Sequence, residues 1–147
     1  MAQKSVLFLC IGNGDRSPVM AAVFGMFARK AGLDVNCESA GIEASATKGT
    51  AAKFGIVAAK RIGLDISDHM RRHISAVNLK NYDLIVCASD EIAGTAIAAG
   101  ADMKKVYNVQ ITNPWPVQFQ EDFDNCCMPA ILVAMYKVVR LYAEHLS

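Results

Sequence analysis

The chain has 147 residues and a formal net charge of +1, a length that suits one domain with a single hydrophobic core. A hydrophobic content of 53% and a mean hydropathy of +0.24 exclude a disordered chain. The balanced charge argues against binding to nucleic acid, and no run of consecutive apolar residues reaches the roughly 18–20 positions that a membrane span requires.

Apolar runs alternate with segments of helical period, which is typical of parallel βαβ units. Gly32 predicts the end of the first helix, and Pro129 predicts either the start of the last helix or a kink in it. With right-handed crossovers, these elements give an α/β three-layer sandwich: a four-stranded parallel sheet with helices on both faces, in a single domain over 1–147. The predicted elements are strands near 5–10, 35–39, 83–87 and 105–109, helices near 17–31, 50–62, 90–99 and 129–145, and a short turn near 75–81.

The segment Cys10–Pro18, CIGNGDRSP, lies between the first predicted strand and the first predicted helix. Gly12 and Gly14 allow the chain to curl, so that backbone N–H groups converge on one point as an anion nest. Arg16 adds a planar charged fork that can bind two oxygens of a phosphate. The residues predicted to bind phosphate, or an oxyanion like it, are Ile11, Gly12, Asn13, Gly14, Asp15 and Arg16.

The helix that follows this loop supplies a second source of positive potential. Ser17 and Pro18 predict its N-cap and its first position, with unpaired N–H groups that face the same point. At the floor of such a pocket Cys10 is favoured as a thiolate, which is the form that attacks, and Ser17 can donate a hydrogen bond to its sulfur. Asn13 is predicted to brace the loop against Ser39; an ordinary turn asparagine is the alternative.

This loop resembles that of the low-molecular-weight protein tyrosine phosphatases, which reads C-x-G-N-x-C-R-S-P. Four later segments extend the resemblance over nearly the whole chain. They are Glu38–Gly41 for the family's S-A-G segment, Gly63–Arg72 for its G-I-x-x-S/D-H-x-A-R stretch, Tyr82–Val86 for its third strand, and Asn113–Trp115 for its D-P-Y/W motif.

The resemblance implies a phosphotyrosine protein phosphatase I-like fold and a phosphomonoester hydrolase that uses a cysteinyl-phosphate intermediate. Cys10 would attack phosphorus, and Arg16 with the loop N–H groups would stabilise the equatorial oxygens. Ser17 would ease departure of the thiolate when water cleaves the intermediate. The resemblance implies no metal and no other cofactor.

Two positions depart from the family. The family's general acid is the aspartate of D-P-Y/W, and Asn113 stands there; losing a positioned acid lowers a rate by about 10²–10⁴-fold. Asp15 stands where many members have a second cysteine or a neutral residue, and a carboxylate there would disfavour the Cys10 thiolate and oppose a dianionic substrate. Weakened turnover is therefore expected, and the acidic side chains near enough in sequence to substitute as donors are Glu121, Asp122 and Asp124.

Outside the loop, Trp115 is predicted either to wall the mouth of the pocket against an aromatic substrate or to serve in packing. The segment 41–47 carries no aromatic residue, whereas the family has one there that helps to select substrates. Selectivity for phosphotyrosine is therefore left open. The basic clusters Lys60–Arg61 and Arg71–His73 are interpreted as solvated faces.

Three other functions remain as alternatives. A binder of phosphate or phosphotyrosine would keep the loop and lack turnover. An arsenate reductase would relay oxidation through two further cysteines; Cys87 is one candidate, but the next cysteine is Cys126. A dinucleotide site is weak because the third glycine of the G-x-G-x-x-G fingerprint is absent.

The expected partners are a phosphorylated protein or a small aryl phosphate, and inorganic phosphate, sulfate or vanadate, with no nucleic acid and no membrane. We expect a monomer or weak homodimer. The odd number of five cysteines predicts a cytoplasmic protein rather than a disulfide framework.

Overall fold

The computed structural model describes residues 3–112 and 119–146. Four strands form one parallel sheet, and the helices follow them along the chain. The strands are β1 (Lys4–Cys10), β2 (Val35–Gly41), β3 (Leu84–Cys87) and β4 (Val106–Asn108); the helices are α1 (Arg16–Lys30), α2 (Lys53–Arg61), α3 (Asp90–Ala98), α4 (Gln120–Asp122) and α5 (Met128–Leu146).

The order of strands in the sheet is β2-β1-β3-β4, and every pair is parallel. Right-handed crossovers then place α1 on one face and α3 on the other. The chain leaves β1 toward β2 and later returns past β1 to β3, so that the strand order reverses beside the end of β1. In open α/β sheets this switch point, at the carboxyl ends of the strands, is where ligands bind. The predicted α/β sandwich is confirmed.

The two central strands of the sheet, β1 and β3, are apolar and are buried along most of their length. Val6, Leu7, Phe8 and Leu9 of β1 are fully buried, as are the side chains of β3 almost throughout. The ring of Phe8 packs against that of Phe24 of α1 in a tilted arrangement, with centroids 5.2 Å apart and an angle of 56° between the ring planes. This packing fixes α1 against β1 and β2, and therefore fixes the loop between β1 and α1.

Element boundaries agree with the sequence for α1, whose last turn ends at Ala31 and Gly32, the latter with a φ of 77°. Helix α2 starts at Lys53 rather than near 50. The reason is tertiary: Thr50 forms a β-bridge with Met70, and the N–H of Ala51 donates to the carbonyl of His69 at 3.2 Å. Residues held in that bridge cannot belong to the helix.

The last helix differs most from prediction. Pro129 is the second residue of α5, but the helical chain begins earlier, at Gln120, and passes through a π-helical segment, Phe123–Cys127. Proline cannot donate to the carbonyl four residues back and its ring crowds that carbonyl, so a wider turn just before Pro129 accommodates it.

By length and composition alone, the helical stretch Gln120–Ala143 is long and apolar enough to cross a membrane. Charged and polar residues interrupt this stretch, so it is not one of the consecutive apolar runs that the sequence analysis considered. A third of the apolar window is buried inside the domain, where Phe123, Ile131 and Met135 belong to the core and α5 packs against α1.

Candidate active site

Cys10 is the last residue of β1 and lies at the carboxyl edge of the sheet, with 3% of its surface exposed. Its sulfur accepts a hydrogen bond from the backbone N–H of Asn13 at 3.2 Å. The hydroxyl of Ser17 lies 3.0 Å from the same sulfur, and either group can donate. A thiolate has no proton, so in that state both neighbours donate to it, which stabilises the charge.

The loop after Cys10 presents further N–H groups. Within residues 3–112 and 119–146, the backbone N–H groups of Gly12, Gly14 and Asp15 have no hydrogen-bond acceptor. Unpaired N–H groups in one short loop next to a helix N-terminus form a cradle suited to an anion. The loop thus combines a sulfur with donors that can hold oxygens.

The curl of this loop is made by Asn13, which adopts a φ of 55°, whereas Gly12 and Gly14 do not have positive φ. The curl that the sequence analysis assigned to Gly12 and Gly14 is therefore made at Asn13 instead. Asparagine is among the few side chains that adopt this conformation at modest cost. Here the side chain of Asn13 is fully buried, so its conformation is held by its neighbours.

All the polar groups of Asn13 are hydrogen-bonded. Its amide Nδ2 donates to the hydroxyl of Ser17 at 2.8 Å and to that of Ser39 at 2.9 Å, so the expected contact with Ser39 is present. Its Oδ1 accepts from the N–H of Arg72 at 3.0 Å, and its carbonyl oxygen lies 2.8 Å from His69 Nε2. Since a carbonyl only accepts, Nε2 of His69 carries the proton. Asn13 therefore connects the loop to Ser17, Ser39, His69 and Arg72.

Two of these hydrogen bonds come from the segment 69–73, which the sequence interpretation took partly as a solvated basic face. That interpretation was wrong for Arg71 and Arg72. Arg72 donates through Nε to the carbonyl of Ser39 at 2.9 Å and forms an ion pair with Glu38 at 2.8 Å. The guanidinium of Arg72 is the first cause that holds the pKa of Glu38 below its usual range. The available signal was the family's H-x-A-R stretch, which coincides with this segment.

His69 is neutral in this setting. Burial is the main cause that lowers its pKa, and the charges of Arg71 and Arg72 add to this, while the hydrogen bond to Asn13 acts in the opposite direction. A neutral imidazole keeps one N–H for the Asn13 carbonyl. His69 therefore supports the loop rather than exchanging protons near neutral pH.

Arg16 is the first residue of α1 and is 4% exposed. One terminal nitrogen donates to the carbonyl of Ile111 at 2.7 Å, which ties the loop to the segment that follows β4. An arginine held at one nitrogen keeps further N–H donors for an oxyanion. The predicted residues Asn113 and Trp115 lie outside the described residues.

The predicted capping by Ser17 was wrong. Helix α1 starts at Arg16 with Asp15 as its N-cap residue, and the first helical bond runs from the N–H of Val19 to the carbonyl of Asp15 at 3.1 Å. Ser17 lies inside the first turn, where its hydroxyl contacts Cys10 and Asn13. Pro18 is tolerated there because an N–H in the first turn has no intrahelical partner.

The carboxylate of Asp15 is directed to helix α2. Its Oδ1 accepts from the N–H of Gly55, in the first turn of α2, at 3.1 Å. This bond caps a helix whose own N-cap, Ala52, has no side chain able to do so. Burial is the main cause that raises the pKa of Asp15, against the lowering effects of the Gly55 bond, Arg71 and Arg16.

Gly41 allows the loop to lie against β2. A Cβ at this position would be 2.5 Å from Thr47 Cγ2, 2.6 Å from the carbonyl of Ile11 and 3.0 Å from the N–H nitrogen of Asn13. Two of these contacts are with backbone that cannot move without moving the loop. Any larger residue would therefore displace the loop from the sheet edge.

The predicted substitute donors are placed unequally. Asp124 pairs with Arg61 and accepts from Gln120 Nε2 at 3.1 Å, so its carboxylate is already engaged. Glu121 and Asp122 are exposed in α4. Within the described ranges, none of the three forms a hydrogen bond or an ion pair with Cys10 or Arg16.

The remaining cysteines differ from Cys10 in their surroundings. Burial raises the pKa of Cys37, Cys87 and Cys127 to about 12, and Cys126 is exposed. A buried thiol of this kind stays protonated and unreactive. In the part of the chain that the structure describes, no group of three His, Cys, Asp or Glu side chains could hold a metal ion.

The family model described as low molecular weight phosphotyrosine protein phosphatase matches residues 5–122. The human protein of that name is 36% identical over 95 residues, which cover 60% of this chain and 57% of the human protein, less than two thirds of its length. An arsenate reductase of Staphylococcus aureus (strain bovine RF122 / ET3-1) is 33% identical over 105 residues, covering 71% of this chain and 75% of that protein. The structure of Wzb from Vibrio vulnificus in complex with benzylphosphonate matches with a TM-score of 0.82 over 95% of this chain and 99% of that one, at 22% identity, which shows a shared fold.

Proposed function

Because this chain belongs to the low molecular weight phosphotyrosine protein phosphatase family, we propose that it hydrolyses phosphomonoesters through a cysteinyl phosphate on Cys10. The single observation that carries the proposal is the environment of the sulfur. It lies 3.2 Å from the N–H of Asn13 and 3.0 Å from the hydroxyl of Ser17, in a loop with further free N–H groups. These donors stabilise a thiolate and can hold the oxygens of a phosphoryl group at the same point.

In the first step the Cys10 thiolate attacks phosphorus, an S–P bond forms, and the bond to the ester oxygen breaks. The loop N–H groups and Arg16 bind the three non-bridging oxygens throughout, as positioning and electrostatics dominate phosphoryl transfer. In the second step water attacks phosphorus and the S–P bond breaks, which releases inorganic phosphate. Ser17 donates to the sulfur as it leaves as a thiolate.

We further propose that general-acid catalysis is weak. Asn113 stands at the position of the family's aspartate, and an amide has no titratable proton for the leaving oxygen. The leaving group then departs as an anion or takes its proton from water. Substrates with acidic leaving groups, such as activated aryl phosphates, are therefore favoured over alkyl esters.

The proposed partners are phosphorylated proteins or small aryl phosphates, with inorganic phosphate as product and vanadate or sulfate as competing anions. The Wzb structure with benzylphosphonate supports a pocket that accepts an aryl ring next to the anion. We place the activity in the cytoplasm, which the five free cysteines favour. Trp115 is proposed as a wall of the pocket mouth.

Steady-state kinetics on aryl phosphates of graded leaving-group pKa test this proposal. We expect the wild-type rate to fall steeply as the leaving group becomes more basic. Asn113→Asp should flatten that dependence and raise the rate on phenyl-type esters by up to about 10²–10⁴-fold. Asn81→Asp, an exposed asparagine in a short turn, is the matched control and should change neither.

Two results would redirect the proposal. A protein whose Cys10 is protected from iodoacetate by phosphate, but which releases no burst of phenol, is a phosphate binder and not a phosphatase. If Asn113→Asp has no effect while Asp122→Asn or Asp124→Asn abolishes turnover, the acid lies further along the chain than the sequence predicts.

A further inference from the structure

Arg71 covers the phosphate loop at Gly14. A Cβ placed on Gly14 would lie 2.5 Å from Cζ of Arg71 and 2.6 and 2.9 Å from its two terminal nitrogens. A Cβ on Gly12 would lie 3.7 Å from one of the same nitrogens. The guanidinium therefore occupies the space that a side chain at position 14 would fill, directly against the loop backbone.

The guanidinium is held there by only part of its hydrogen-bonding capacity. Nε donates to the carbonyl of Thr50 at 2.7 Å, and one terminal nitrogen donates to the carbonyl of Ala46 at 3.2 Å. A guanidinium has five N–H groups, and the rest of them have no acceptor within 3–112 and 119–146. The side chain is half-buried, so those donors are oriented while solvent still reaches them.

Within residues 3–112 and 119–146, Arg71 forms no ion pair with a carboxylate. Arg16, Arg72 and the neutral ring of His69 lie on the loop side. Among the described residues, the carboxylate of Asp15 interacts electrostatically with Arg71, and its Oδ1 accepts from the N–H of Gly55. The short turn Ala44–Ala46, whose last carbonyl accepts from Arg71, consists of small residues.

We propose that Arg71 is a specificity-determining residue that binds a second acidic group of the substrate, a carboxylate or a second phosphate next to the phosphoryl group. This inference rests on the proposed function, because it assigns the phosphoryl group to the loop. A planar guanidinium with a free edge binds such an anion through two parallel hydrogen bonds. A neutral substrate of the same shape gains nothing from it.

The test measures binding, so that it does not depend on turnover. The probes are benzylphosphonates that carry either a carboxylate or a carboxamide on the ring, in the meta and para positions, titrated calorimetrically into the full chain. We expect the wild type to bind the better carboxylate isomer about 10-fold more tightly than its carboxamide, a typical effect of one partly exposed charge-assisted contact.

Arg71→Gln should abolish that preference, and Arg71→Lys, which keeps the charge but not the fork, should retain part of it. Arg29→Gln removes an exposed arginine from α1 and is the control that should retain the preference in full. If Arg71 is only a clamp for Ala46 and Thr50, Arg71→Gln weakens both probes equally, and the proposal is overturned. It is also overturned if the wild type shows no preference for the carboxylate.

This experiment distinguishes the role of Arg71 from the proposed hydrolysis. If the wild type hydrolyses aryl phosphates but binds both probes equally, only the proposed role of Arg71 is overturned. If the wild type prefers the carboxylate probe but does not hydrolyse aryl phosphates, the role of Arg71 is supported and the proposed hydrolysis is overturned. Absence of binding by either probe overturns both.

Discussion

The two sides of the phosphate loop are built in opposite ways. On the Asn13 side, formed by Asn13 with Ser17, Ser39, His69 and Arg72, every polar group of the buried asparagine is paired. The Gly14 side is formed by Gly12, Gly14, Ala46 and Arg71, and its loop residues are glycines without side chains. The guanidinium of Arg71 covers them and donates to Ala46 with only part of its N–H groups. A saturated network fixes one geometry, whereas the half-exposed arginine is free to interact with a ligand.

The two sides of the loop therefore have different roles. The Asn13 side holds the sulfur and the loop N–H groups where the chemistry needs them. The Gly14 side selects substrates by the acidic group that they carry beside the phosphoryl group. Substitutions on the first side should therefore reduce all activity together, and substitutions on the second should change selectivity and local packing.

The largest effect is expected from Asn13→Ala. It removes the amide that accepts from the N–H of Arg72 and donates to the hydroxyls of Ser17 and Ser39, and it places alanine at a φ of 55°. We expect a loss of about 2–3 kcal/mol in the free energy of unfolding, from unsatisfied buried groups. We expect kcat/KM to fall about 10²-fold, because the loop N–H groups lose their alignment.

Urea denaturation and aryl phosphate kinetics check this prediction. Asn78→Ala is the control: Asn78 accepts from the N–H of Lys80 at 3.1 Å in an exposed turn. Its loss should lower stability by about 1 kcal/mol or less and leave kcat/KM unchanged. Asn13→Ala with activity within about twofold of wild type would mean that the network does not set the loop geometry.

The Gly14 side is tested by a double-mutant cycle. Gly14→Ala pushes the guanidinium of Arg71 off the loop, and since that group is the end of a flexible side chain, we expect a loss of only about 1 kcal/mol. In an Arg71→Ala background the same substitution should be nearly neutral. The expected coupling is therefore close to 1 kcal/mol by thermal or urea unfolding, and strict additivity would show that the two residues are not in contact.

The Asn13 side is the part of the site that sequence reasoning largely reached. The loop motif predicted the contact of Asn13 with Ser39. The alternation of strands and helices along the chain predicted that Cys10 ends a buried strand. What it missed arrives from far along the chain. His69 and Arg72 reach the loop because residues 69–73 run beside β2, where Gly41 and His73 form a bridge. The H-x-A-R stretch marks this segment, but no local pattern shows that it approaches the loop.

The Gly14 side was missed for the same reason. The sequence interpretation gave the glycines a conformational role, but the positive φ belongs to Asn13, and Gly14 is needed for space instead. The sequence of the basic cluster Arg71–His73 does not indicate whether these side chains face solvent or another segment of the chain. Only the tertiary path that brings Arg71 between Gly14 and Ala46 decides this.

Asp15 lies between the two sides, and its substitution should have a smaller effect. Its pKa is raised in the folded state by burial, so the folded protein binds the proton more tightly and stability falls as pH rises from about 3.8 through the folded pKa. Asp15→Asn keeps an acceptor for Gly55 and removes this dependence. We expect the variant to match or exceed wild-type stability at pH 7, and a loss above about 1 kcal/mol there would show that the charge itself stabilises α2.

The smallest effect is expected from His69→Gln. The pKa of His69 is lowered from 6.5 in the folded state, so its contribution to stability is complete above pH 6.5 and is lost as pH falls through the folded pKa. Glutamine can keep a donor for the Asn13 carbonyl without titrating. The difference in unfolding free energy between wild type and variant should therefore change only below pH 6.5, and a difference that is constant from pH 5 to 8 would contradict the assignment.

The central claim is the cysteinyl phosphate on Cys10, and rapid quenching with a ³²P-labelled aryl phosphate, followed by peptide mapping under conditions that preserve S–P bonds, tests it most directly. We predict label on the peptide that contains Cys10, its loss in Cys10→Ala, and its retention in Cys126→Ala, which removes an exposed cysteine outside the loop. Hydrolysis that proceeds with no label on Cys10, or label that persists in Cys10→Ala, would contradict the account.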